Sequence, residues 1–147
     1  MSASRPAPVS GHAPDGQDSR QVRLLRELSS SLSGHEETYR LLIGVLLRDP
    51  RELEQLRAQT ILSLADYDAK NETELLPTLQ AFLAHDGSTN ETAEAMGLHR
   101  HTVGYRLTRV HAISGLSPYE SDGRERLSLG LKADQILAAN QRLSKAG

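Results

Sequence analysis

The chain has 147 residues, a formal net charge of −2 and no cysteine. That length suits one domain with a real core plus a tail, not two large domains. Without thiols there are no disulfides, cysteine nucleophiles or cysteine-based zinc sites, and the charge rules out a protein that coats nucleic acid by bulk attraction while permitting a local basic face. Leucine dominates the apolar residues and aromatics are only 3%. The predicted fold class is therefore all-α, a compact helical domain behind a disordered N-terminal tail. No apolar run is long enough for a signal-peptide core or a membrane span, so a cytoplasmic location and no membrane partner are expected.

Residues 1–20, rich in Pro, Gly, Ser and Ala, have almost nothing to anchor them and are expected to be a disordered tail. A short helix is predicted from Gln21 to Leu32. The run Glu36 to Arg48 is apolar on most sides and stops at Asp49-Pro50, because proline disfavours helix in the residue before it. A second helix follows from Glu52 to about Tyr67. Residues 21–68 thus form a helical segment whose apolar stretch, Tyr39 to Leu64, is either a dimerisation surface or internal core.

Residues 69–143 carry clearer punctuation. Asn71 with Glu74 resembles a capping box before the apolar run Leu75–Leu83, which ends at His85-Asp86-Gly87. Pro77 is tolerable because it lies within the first turn. Ser88 with Glu91 makes a second capping box for a helix ending at Gly97, and a third helix is predicted from Arg100 to Ile113. Ser117-Pro118 starts a helical turn, and a last helix spans about Glu125 to Leu143.

From Thr89 to Thr108 the spacing is that of a helix-turn-helix. Ala93 is small where two helices cross, Gly97 permits a positive φ at the turn, and Met96, Leu98, Val103 and Leu107 fill the angle between them. At about 100° per residue, with Val103 facing inward, Leu107 and Val110 fall beside it. His101, Gly104, Tyr105, Thr108 and Ala112 lie opposite, with Thr102 and Arg109 on one shoulder. No acid interrupts that outer face. It has the make-up of a recognition helix: Arg100, His101, Thr102 and Tyr105 for base edges, Arg106 and Arg109 for phosphates, His99 at the entry. Arg106 lies near the core, so an ion pair with Glu91 or Glu94 is its alternative role.

The segment LLPTLQAFLAHDGSTNETAEAMGLHRHTVGYRLTRVHAISGLSP, residues 75–118, resembles the C-terminal helix-turn-helix of PucR-type (CdaR-related) bacterial transcription regulators. The matching positions are Thr78-Leu79, Leu83, Ala93, His99, Thr102, Tyr105-Arg106-Leu107, Arg109-Val110 and Gly115. Weaker likeness extends over about residues 36–137. The resemblance implies a sequence-specific regulator that binds double-stranded DNA, with His99, Thr102, Tyr105, Arg106 and Arg109 at matching positions; the outer face of the helix adds Arg100 and His101 as DNA contacts, and its modest charge calls for a homodimer on two half-sites. Gly104 departs from the family, which more often has a basic or polar side chain there, and no effector-sensing region is carried over. A different reading is an interaction module that pairs with longer related regulators without an operator of its own.

Other chemistry is not indicated. His99 and His101 point to different sides of a helix and lack a third ligand, so no metal is expected. HEETY at His35 lacks the second histidine of a zincin, and Asp66 and Asp68 do not complete a calcium loop. No phosphate loop or nucleophile motif occurs, so no enzyme activity, cofactor or small-molecule effector site is expected.

Overall fold

The computed structural model describes residues 16–146, with side chains from Ser19 onward. Those residues form eight α-helices and one short 3-10 turn, with no strand among them. The helices are α1 (Gly16–Glu27), α2 (Glu36–Arg48), α3 (Pro50–Thr60), α4 (Leu62–Asn71), α5 (Leu75–Ala84), α6 (Thr89–Met96), α7 (Arg100–Ser114) and α8 (Ser121–Ala146). The all-α expectation holds. The tail expectation falls outside the described residues up to position 15, whereas residues 16–20 already belong to α1.

Several boundaries follow from local chemistry. Asp49 ends α2 and caps α3, its side chain accepting from the Arg51 amide, with Pro50 in the first helical position. Others do not match the sequence pattern. The single helix expected from Glu52 to Tyr67 is two, separated at Ile61, just where α8 crosses. A Cβ on Gly130 of α8 would lie 1.9 Å from Thr60 Oγ1 and 2.6 Å from Thr60 Cβ, so only glycine permits this approach. The α5 cap also differs. Asn71 closes α4, and the oxygens of Asp68 accept from the amides of Leu75 and Leu76, both at 2.8 Å. Glu72, in the left-handed region at φ 53°, turns the chain so that a carboxylate from the preceding helix reaches the positive end of α5.

α8 runs through two of three packed clusters. Its C-terminal half buries Ala133, Ile136 and Ala139 against Leu24 and Leu28 of the first helical segment, Tyr39, Ile43 and Leu46 of α2, and Leu53 of α3. Its N-terminal half packs Leu127 and Leu131 with Ile61, Leu64, Leu75, Leu79 and Val110. A third cluster, Phe82, Ala93, Val103 and Leu107 with Leu98 against it, ties α5, α6 and α7 together. The apolar residues of Tyr39–Leu64 are thus mostly core. Leu41, 67% exposed, is the outlier.

Candidate nucleic-acid interface

The α6–turn–α7 unit is built from short-range signals. Ser88 caps α6 by accepting from the Glu91 amide at 3.1 Å. Gly97 takes φ 67°, and the Leu98 amide reaches back to the Ala93 carbonyl at 2.9 Å, closing the helix in a Schellman-type turn. Leu98 packs into the third cluster, which fixes the direction in which the chain leaves the turn.

α7 then starts on a histidine cap. His99 Nδ1 accepts from the His101 amide at 3.1 Å. As an acceptor this nitrogen carries no proton, which leaves Nε2–H as the donor. Val103, Leu107 and Val110 are buried and grip two clusters, so α7 is held along about two turns of its inner side. His99, Arg100, His101, Tyr105 and Thr108 are exposed, Tyr105 at 67%, with Thr102, Gly104 and Arg109 partly so. No acidic residue occurs in α7.

The arginines divide by their partners. Arg106 turns toward α5: its Nη1 lies 3.1 Å from Thr78 Oγ1 and 3.7 Å from Glu74, and its side chain is 23% exposed. The acids expected beside it, Glu91 and Glu94, are not its partners, because the arginine reaches across to α5 instead of along α6. Arg109 donates to the Tyr67 hydroxyl at 2.9 Å, and its guanidinium carbon sits 5.4 Å from the centre of that ring. The phenol lifts the Arg109 pKa further above its ordinary value, so this cation is permanent. Arg100 has no hydrogen-bond or ion-pair partner among the described residues and stands free at the helix entrance. Sequence reasoning named Thr78 only as a family-matching position and gave Tyr67 no part in the site, since nothing local links α4 or α5 to side chains 42 and 28 residues later.

The glycines of this face differ from the packed ones. Gly130 and Gly123 each sit where a Cβ would collide with another segment, whereas a Cβ on Gly104 would meet nothing within 4 Å. Internal packing therefore gives no reason for a glycine in the middle of α7.

A family model, the PucR C-terminal helix-turn-helix domain, matches residues 75–133, from the start of α5 to the middle of α8. Residues 75–133 are thus a PucR-type helix-turn-helix domain. Among relatives of the chain, the transcriptional activator PmfR of Paenarthrobacter nicotinovorans is 45% identical over 73 residues, covering 50% of the chain and 15% of that protein. A Thermomonospora curvata protein named only as an uncharacterized protein in the pkwA 5′ region is 34% identical over 131 residues, 87% of the chain and 69% of its own length. The purine catabolism regulatory protein of Bacillus subtilis is 30% identical over 87 residues, 59% of the chain and 16% of its own length. The chain thus spans less than a fifth of the two regulators with assigned roles. No solved structure matches it. Among the described residues no group of three or more His, Cys, Asp or Glu is arranged to hold a metal ion, and no helix is long and apolar enough to cross a membrane.

Proposed function

We propose that the chain is a sequence-specific transcription regulator that lays α7 in the major groove of double-stranded DNA. The carrying observation is the division of α7 itself. One side is locked by Val103, Leu107 and Val110, and the other offers only donors, an aromatic ring and open glycine backbone to solvent. Arg100, His101, Thr102 and Tyr105, on the first two turns, are assigned to base edges. Arg109, aimed by Tyr67, takes a phosphate, and the free Nε2–H of His99 is a second backbone contact. Arg106 is a positioning residue that fixes α7 on α5 through Thr78 and Glu74. The relatives named as an activator and as a regulator support this reading.

Binding is by a homodimer on two half-sites about one helical turn apart, because one short helix with two outward arginines is too few contacts for tight specific binding alone. No cofactor takes part, and the protein works in the cytoplasm. Selection of bound sequences from a random DNA pool tests this. The expected result is an enriched motif repeated in two-fold symmetry at that spacing; a pool that stays random at low salt refutes it.

A further inference from the structure

A second helix glycine stands in open space. A Cβ on Gly44, in the middle of α2, would meet nothing within 4 Å. Its surroundings are specific. Tyr39, Leu42, Ile43 and Leu46 bury one side of α2, and about 180° away Glu37, Leu41, Gly44 and Arg48 form a single outer stripe at helical spacing. Leu41 is 67% exposed, an isolated large apolar side chain on that stripe. Glu37 and Arg48 are both exposed, and neither has an ion-pair partner among the described residues. The neighbouring pair Arg40–Glu36, by contrast, closes on itself at 3.0 Å.

The order of these four residues is self-complementary. The midpoint between Leu41 and Gly44 along the helix is also the midpoint between Glu37 and Arg48. When two copies of α2 cross antiparallel about a two-fold axis at that point, Leu41 of each faces Gly44 of the other, and Glu37 of each faces Arg48 of the other. An isologous interface demands that pairing of i with j and j with i. The knob meets a residue without a side chain, and each charge meets its opposite.

We propose that the outer stripe of α2 is the homodimer interface and that its partner is a second copy of this chain. A 13-residue helix is about 20 Å long, and one stripe of it buries less than the roughly 800 Å² per partner of a standard stable interface. Association is accordingly weak in free solution and becomes strong when two DNA half-sites hold the subunits together. The inference supplies the second subunit that the proposed function requires, and it is tested without DNA, so that either fails on its own.

The experiment is sedimentation equilibrium of the full chain at low salt, where exposed charges are least screened. Wild type is expected to move from monomer to dimer as its concentration rises toward about 1 mM. Glu37→Arg alone and Arg48→Glu alone each place like charges together twice and weaken association by about tenfold. An equimolar mixture of the two restores it, because both pairs then become opposite in the mixed dimer. Leu41→Ser, which leaves every charge in place, also weakens association, and circular dichroism confirms that each variant is helical. Wild type that remains monomeric throughout overturns the proposal, as do swaps that leave the mass distribution unchanged and a mixture that fails to recover. Cover of the stripe by the chain's own N-terminal residues would give the first of these results.

Discussion

Gly104→Ala separates what the fold wants from what the surface is for. In a helix interior alanine is favoured over glycine by about 0.8–1.0 kcal/mol, and the added methyl meets no protein atom within 4 Å, so no packing penalty offsets the gain. For a chain of 147 residues that corresponds to a rise in melting temperature of about 3 °C, read by thermal denaturation. The same methyl projects among His101, Tyr105 and Thr108 on the outer face of α7, where groove contact is proposed. Forcing a methylene into a well-packed contact costs about 1–3 kcal/mol, a loss of DNA affinity of roughly 5- to 150-fold, read by fluorescence anisotropy on a selected operator. The variant is thus expected to be more stable and less active. A stabilised variant that binds DNA like wild type refutes the claim that Gly104 is a point of close approach, and one with no gain in stability refutes the account of the helix.

Four further outcomes follow from the same geometry. His99→Ala removes the α7 cap and costs about 1 kcal/mol, whereas His99→Asn keeps an acceptor and most of the stability; chemical denaturation giving equal losses for both excludes the cap. Tyr67→Phe keeps the ring under Arg109 but deletes the hydroxyl, so operator affinity is expected to fall about threefold at unchanged melting temperature; full affinity removes Tyr67 from the site. Gly130→Ala forces a methyl into Thr60 and should destabilise by about 1–3 kcal/mol or more, measured by urea unfolding, with a neutral effect contradicting the α3–α8 crossing. Burial holds the Tyr39 phenol above its ordinary pKa. Its contribution is then complete below pH about 10 and lost as pH rises through the raised folded value, so stability should drop on that alkaline limb in wild type and less in Tyr39→Phe.

The parts that sequence made legible are those whose causes lie within a few residues. α7 runs from Arg100 to Ser114 against an expected Arg100–Ile113, because its entry histidine, its apolar spacing and the terminal Gly115 are all local. Ser88 and Gly97 bracket α6 for the same reason. The misreadings involve partners from elsewhere in the chain. The Asn71–Glu74 pattern has the spacing of a capping box, but a folded chain brings Asp68 to α5 first, and a carboxylate accepting two amides outcompetes a local turn. The break at Ile61 coincides with the close approach of Gly130, far along the chain, and with the Thr60 hydroxyl donating back to the Leu56 carbonyl, a bond that the periodicity of Glu52–Tyr67 does not announce. Exposure of the α7 face was predictable from helical periodicity. The division of labour between Arg106 and Arg109 was not, because it depends on Thr78 and Tyr67 reaching them across helix contacts.

The salt dependence of operator binding tests the central claim most directly. Each phosphate contact released as a counterion contributes about 0.9 to the slope of log affinity against log salt. Wild type should bind with a steep negative slope, and the double variant Arg100→Ala with Arg109→Ala should bind more weakly, with a slope shallower by about 0.9 per subunit from the lost Arg109–phosphate contact. Unchanged affinity and slope in the double variant would contradict the placement of α7 on DNA.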